Sequence, residues 1–130
     1  MKIFFSEQSK NFLRTLNYPL ESASQLTGRI ENNFIRIDEI IPFKMVSQSK
    51  NGCSIVIPRA EMSENVIGVF HPHPNGNILP SDSDANIMKE LFPQREAAIL
   101  ISEKRAGTWI IHPFIISKNS KMTMLDSVTI

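Results

Sequence analysis

The sequence is poor in features that would each point to a different class of protein. It contains one cysteine in 130 residues, so an internal disulfide is excluded and a reducing compartment is expected. No apolar run approaches the length of a membrane span, and residues 1–7 lack the long apolar core of a signal peptide. We therefore expect a cytoplasmic protein without a membrane partner.

An excess of one charge is also missing. The 14 Lys and Arg residues are nearly balanced by 13 Asp and Glu residues, which leaves a net charge of +1. The basic residues are dispersed and form no stripe, so we expect no nucleic-acid partner. With 42% hydrophobic residues in 130 positions, the chain can form one compact domain but has little room for a second.

What the chain does contain is a group of possible metal ligands. His71 and His73 are followed by Ser81 and Asp84. Residues 65–70, before the histidines, are mostly apolar with β-branched members, which predicts a strand that runs into the histidines. Residues two apart on a strand share a face. The two imidazoles would therefore project the same way, with Cα atoms about 6.5 to 7 Å apart.

Prolines flank the second histidine. Pro72 and Pro74 carry no backbone N–H and cannot donate to a β-ladder. We therefore expect this stretch to lie at a sheet edge or beyond the last ladder bond. Either position would leave the histidines free to face a cleft.

A helix is predicted over residues 81–92, where Pro93 ends it. Ser81 would be its N-cap, with Asp84 in the first turn. Alone, this Ser-x-x-Asp pair is typical of a capping box that binds no metal. Two imidazoles and a carboxylate, however, are the three-ligand set of many zinc enzymes, which leave the fourth position to water. Both patterns at one strand-to-helix junction favour a catalytic site for one zinc ion.

These residues resemble the signature of a known family. The pattern His71-x-His73-x(7)-Ser81-x-x-Asp84 resembles that of the JAMM (JAB/MPN-plus) metalloproteases, which include deubiquitinating and related isopeptidases. The resemblance implies that the histidines and the aspartate bind zinc, and that the serine helps to hold the water and the oxyanion. Pro72 is a departure, because the family usually has Ser or Thr there. Strand alternation predicts that its side chain points away from the metal.

The family also has an upstream glutamate, in a stretch that usually has the pattern Pro-x-Glu-x-x-Gly-x-x-x-Gly. In residues 19–28, Glu21 and Gly28 match this pattern, whereas Ser24 replaces the first glycine. The resemblance implies that Glu21 is the general base. Glu39 is the competing carboxylate, but the period-2 alternation around it predicts an outward-facing strand position.

Apolar periodicity along the chain predicts an α/β fold. A first helix is expected over residues 6–16, with Phe12, Leu13 and Leu16 on its apolar side. In the second helix, the apolar stripe would be Ile87, Met88, Leu91 and Phe92. Strands are expected at residues 26–30, 34–43, 54–57, 66–71, 97–102 and 108–116.

The remaining segments set the domain limits. Residues 44–51 are polar and predicted to be a loop, and residues 118–130 are predicted to be a C-terminal tail that is flexible or bound to a partner. We expect one catalytic domain over residues 1–117, built as a twisted mixed β-sheet flanked by helices. The resemblance implies the same JAB/MPN-like fold, with the layering of cytidine deaminases.

The resemblance further implies a zinc-dependent metallopeptidase. Short connections, such as residues 103–107, make the chain similar to compact prokaryotic members, which act on ubiquitin-like or sulfur-carrier proteins or on small peptides. We expect hydrolysis of a peptide or isopeptide bond after the Gly-Gly tail of such a partner. That tail could add beside the His71 strand by β-augmentation.

Other functions remain open. The chain could be a catalytically silent scaffold or binding module for a ubiquitin-like partner, or a metal-bound regulator without a substrate. A cysteine hydrolase would pair Cys53 with a histidine, yet Cys53 is typical of a strand start and His112 lies in an ordinary strand pattern. A deaminase would need H-x-E and P-C-x-x-C elements, which the sequence lacks.

Overall fold

The computed structural model describes residues 1–16, 22–48, 53–55, 62–73 and 76–130. Its elements in chain order are β1 (Lys2–Phe5), α1 (Glu7–Arg14), β2 (Ser24–Ile30), β3 (Phe34–Pro42), β4 (Met45–Gln48), β5 (Cys53–Ile55), β6 (Val66–Pro72), α2 (Asp82–Leu91), β7 (Ala97–Arg105), β8 (Thr108–Ile116), β9 (Met122–Met124) and β10 (Val128–Thr129). An 8-stranded mixed sheet has the order β1-β3-β2-β6-β7-β8-β10, with β9 also paired to β8, while β4 and β5 form a separate pair. The predicted α/β class and mixed sheet are confirmed.

The two helices cover opposite faces of the large sheet. On one face, Leu13 of α1 is fully buried, and Phe12 and Leu16 pack against the same cluster, which includes Phe70 of β6. On the other face, α2 buries its predicted stripe, with Met88, Leu91 and Phe92 almost inaccessible and Ile87 partly buried. Both predicted apolar sides are confirmed. Within the described ranges, no helix has the length and hydropathy needed to cross a membrane.

The strand that leads into the histidines, β6, lies inside the sheet between β2 and β7. The prediction of a sheet edge is therefore wrong, and β6 offers no free edge for strand addition where β2 covers it. The alternative, a position beyond the last ladder bond, is confirmed on the β2 side, where pairing ends at Phe70. The N–H of His73 points the other way and donates to the carbonyl of Ser102 in β7 (3.0 Å). Because successive N–H groups alternate in direction, an N–H at position 72 would point toward β2, where pairing has already ended. Pro72 therefore interrupts no bond to β2.

Three segments differ from the sequence prediction. Met45–Gln48, predicted as a loop, forms β4 and pairs with β5. Lys2–Phe5 adds parallel to β3 as an extra edge strand. In the predicted tail, Met122–Met124 and Val128–Thr129 pair with β8. These strands are only 2 to 4 residues long, too short for an alternating pattern, so backbone pairing to a longer neighbour defines them.

A glycine shapes the start of the sheet. The β2–β3 register shifts between Thr27 and Gly28. Gly28 has φ +151°, and a Cβ there would lie 1.8 Å from the carbonyl oxygen of Arg36. Only glycine fits this close approach of two strands, which gives the matched Gly28 of the sequence pattern a structural reason.

Candidate metal centre

The strand β6 and the helix α2 bring three possible ligands together. His71 is the penultimate residue of β6, His73 follows directly after this strand, and Asp84 is the third residue of α2. The two imidazole rings meet edge to face with their centroids 4.8 Å apart, so the prediction that they share a face is confirmed. Pro72 between them is fully buried, as expected for a side chain on the opposite face.

The distances within this group fit a small divalent ion. The Nε2 atom of His71 lies 3.4 Å from Oδ1 of Asp84, and Nε2 of His73 lies 3.3 Å from Oδ2. One ligand atom from each residue lies within 4.8 Å of the others. Nitrogen and oxygen ligands held 2.0 to 2.1 Å from a tetrahedral ion are about 3.3 Å from one another. The described side chains could therefore close around an ion with small adjustments.

Backbone carbonyls fix the orientation of both imidazoles. Nδ1 of His71 is 2.5 Å from the carbonyl oxygen of Ser22, and Nδ1 of His73 is 2.7 Å from that of Asn77. A carbonyl oxygen only accepts, so Nδ1 carries the proton in each ring. In the neutral imidazole, the lone pair is then on Nε2, the atom that faces Asp84. This arrangement is typical of histidines that bind a metal through Nε2.

A positive charge between His71, His73 and Asp84 would stabilise their close approach. Two Nε2 lone pairs and a carboxylate would repel one another at these distances unless protons or a metal ion lay between them. Burial raises the pKa of Asp84, but the hydrogen bond to His73, the electrostatic interaction with His71 and the N–H of Ser81 together outweigh burial and lower it. The carboxylate is thus held in the ionised form that a metal ligand requires.

Ser81 has the two structural features that the sequence predicted. As the N-cap of α2, its hydroxyl accepts a hydrogen bond from the N–H of Asp84 (3.1 Å), while its own N–H donates to Oδ2 of Asp84 (2.8 Å). The capping box is therefore present, and the same carboxylate faces the histidines. A hydroxyl that accepts one hydrogen bond still has its own hydrogen to donate.

The other candidate residues of the sequence analysis lie apart from this group or outside the described residues. Glu21 lies outside the described residues. Glu39 is exposed on β3 and pairs with Thr27, which pairs in turn with Val66 at the far end of β6. Because Val66 is five residues from His71, roughly 16 Å along a strand, Glu39 is remote from the candidate metal ligands. The strand start predicted at Cys53 is confirmed.

Several contacts at the site were not predicted. The carbonyls of Ser22 and Asn77 are backbone groups, which leave no signature in side-chain patterns. Glu103, Arg105 and His112 form a second polar cluster, in which Oε1 of Glu103 accepts from Nη2 of Arg105 (2.6 Å) and Nε2 of His112 (3.2 Å). The period-2 spacing of Glu103 and Arg105 could have indicated that they share a face.

Comparison with known proteins shows what the chain is similar to. A family model described as prokaryotic homologs of the JAB domain matches residues 12–112. That range includes both histidines, Asp84 and Ser81, as well as Glu21. A search of curated proteins finds no match.

Proposed function

The chain belongs to the prokaryotic JAB-domain family, and from that premise we propose that it is a zinc-dependent metallopeptidase. Its reaction would be hydrolysis of a peptide or isopeptide bond after the C-terminal tail of a ubiquitin-like or sulfur-carrier protein. The observation that carries the proposal is the convergence of the His71 and His73 Nε2 atoms on the Asp84 carboxylate. A site built only to cap a helix would not need two histidines held by backbone carbonyls.

Zinc, when bound, supplies an acidified water with a pKa of about 7 and polarises the substrate carbonyl. The protein's part is to hold the ligands and move protons. The backbone carbonyls of Ser22 and Asn77 accept hydrogen bonds from Nδ1 and so keep the two imidazoles in the tautomer whose lone pair is on Nε2. The Ser81 hydroxyl would donate a hydrogen bond to the oxyanion, a contribution of roughly 3 to 4 kcal/mol in comparable sites.

Glu21 would accept the proton of the water and later give it to the leaving amine. Support for this role comes from its neighbour in the chain, because the carbonyl of Ser22 accepts the hydrogen bond from His71. Consecutive Cα atoms are about 3.8 Å apart, so residue 21 is one residue from a group that touches a ligand. Water attacks directly, and no covalent bond to the protein is required.

The decisive experiment uses a sulfur-carrier or ubiquitin-like protein with one extra residue after its Gly-Gly tail. Mass spectrometry should show loss of that residue with zinc-loaded protein, no loss with chelator, and recovery when zinc is restored. The variant His71→Ala is the negative control, and Glu39→Ala, which alters an exposed carboxylate remote from the ligand group, should remain active. Binding of the partner without cleavage of any such tail would instead favour a silent scaffold.

A further inference from the structure

The second polar cluster, which we call the Glu103 cluster (Glu103, Arg105 and His112), lies beside the metal ligands. In the β6–β7 register, His71 is opposite Ile101 and Pro72 is opposite Ser102, so His73 and Glu103 are next to each other. Adjacent strands are about 4.8 Å apart. Paired residues point to the same face, so Glu103 projects on the side where the histidines meet Asp84.

The other members of the cluster share that face. Arg105 is two residues beyond Glu103 on β7, and His112 of β8 is opposite Ile101, which is itself opposite His71. The turn between the two strands places Ala106 and Gly107 at positive φ, 49° and 82°, which is typical of a two-residue hairpin turn. This tight turn keeps Arg105 at the end of the sheet where the metal ligands lie.

A buried carboxylate holds the arginine in place. Glu103 is only 6% exposed, and its Oε1 accepts hydrogen bonds from both Arg105 and His112. The Arg105 side chain is nevertheless 69% exposed. Its guanidinium has five N–H donors in a rigid fork that matches a carboxylate. Anchoring at Glu103 lowers the entropy lost when the exposed side of the fork binds an anion.

Building on the proposed function, we propose that Arg105 is a specificity-determining residue of this chain, which binds the free α-carboxylate of a leaving group one or two residues long. The spacing agrees with this length. Arg105 lies two residues, about 6.6 Å, beyond the level of His73 along the strand direction. One or two extended residues span about 3.5 to 7 Å.

The same argument separates the two bond types left open above. A linear extension of one or two residues ends in a carboxylate at the distance of Arg105. The lysine of an isopeptide bond continues into a folded protein on both sides and offers no such carboxylate. Arg105 would therefore favour a linear extension over an isopeptide bond.

The test compares Gly-Gly-Ala bearing a free carboxylate with the same peptide bearing a C-terminal amide. Each is titrated into the ¹⁵N-labelled full chain without zinc, so that hydrolysis does not compete, and affinities are taken from amide chemical shifts. We expect the acid to bind about tenfold more tightly than the amide, the effect of one charged hydrogen-bonded pair. Arg105→Gln should remove the difference, and Arg105→Lys should retain only part of it.

Arg36→Gln is the matched control. Arg36 forms the same type of ion pair with a carboxylate two residues away on its own strand, with Nε 2.9 Å from Oδ1 of Asp38. Its strand, β3, lies two strands from β6 in the direction away from β7. That variant should keep the full preference for the acid. Equal affinity for the two peptides, or a preference that survives Arg105→Gln, would overturn the proposal.

Hydrolysis distinguishes this inference from the proposed function. Zinc-loaded protein that cleaves the acid and the amide at equal rates would refute carboxylate binding by Arg105 while leaving the metallopeptidase intact. A preference for the acid in binding, without cleavage of any Gly-Gly-X peptide, would support the Arg105 site and count against the peptidase.

Discussion

The backbone N–H of Ser81 donates a hydrogen bond to Oδ2 of Asp84 at 2.8 Å. The carboxylate that faces the histidines is thus also part of the capping box of α2. Helix capping and metal binding are therefore not competing interpretations of the Ser-x-x-Asp pair. The cap fixes the position of the carboxylate, and the same carboxylate would complete the ligand group of the proposed metal site.

Substitutions of Asp84 should separate the two roles. Asp84→Asn keeps an oxygen for the Ser81 N–H but removes the charge, so we expect zinc binding to be lost while the metal-free protein loses only about 0.3 to 1 kcal/mol, the interaction of the charge with the helix dipole. Asp84→Ala should lose zinc and, beyond the same charge effect, about 0.5 to 1.5 kcal/mol because the Ser81 N–H loses its acceptor. Thermal unfolding without zinc and metal analysis measure the two effects. Asp82→Ala, which alters an exposed residue of the same first turn, should retain zinc.

The Ser81 hydroxyl should matter for both folding and catalysis. Ser81→Ala removes the N-cap acceptor and should cost about 1 kcal/mol of stability. It also removes the expected oxyanion donor, which should lower kcat by about 10²- to 10³-fold. Denaturant unfolding and hydrolysis rates on one preparation measure the two losses. A kcat equal to that of the unmodified protein would show that the hydroxyl serves the helix alone.

Glu21 should be needed for turnover but not for metal. We expect Glu21→Ala to bind one zinc ion and to hydrolyse the substrate about 10²- to 10⁴-fold more slowly. Glu39→Ala is the control, because Glu39 is exposed at the far end of the sheet. If Glu21→Ala kept full activity in hydrolysis assays, the general base would be a different residue.

Gly28 should be required for the fold through steric contact. Gly28→Ala would place a Cβ 1.8 Å from the Arg36 carbonyl oxygen at φ +151°, and backbone strain alone costs about 1 to 3 kcal/mol. Gly107 also has positive φ but open space around it, so Gly107→Ala carries strain without a clash. The free energy of unfolding should fall more for Gly28→Ala. Equal losses would mean that the β2–β3 contact is not tight.

The sequence predicted the parts of the structure whose side chains repeat with a clear period or spacing. The apolar sides of α1 and α2 follow from spacings such as Phe12 to Leu16 and Ile87 to Leu91, and the shared face of His71 and His73 follows from strand alternation. The cap at Ser81 could also be predicted, because the hydroxyl of a serine before an apolar run can accept a hydrogen bond from an N–H in the first turn of the helix.

What the sequence could not predict depends on contacts between distant parts of the chain. The interior position of β6 is set by the pairing of β2 and β7 on either side, and no property of Pro72 reveals which neighbours it has. The carbonyls of Ser22 and Asn77 act through the backbone, which is the same in every residue. β1 and β10 are short edge strands held by their partners, so their own composition carries little information.

The central claim is that His71, His73 and Asp84 together hold one divalent ion. Calorimetric titration of zinc into the metal-free protein tests it most directly, with His71→Ala as the disrupted variant and His112→Ala as the histidine control. We predict one zinc ion per chain for the unmodified protein and for His112→Ala, and loss of that site in His71→Ala. Undiminished zinc binding by His71→Ala, or none by the unmodified chain, would contradict the assignment.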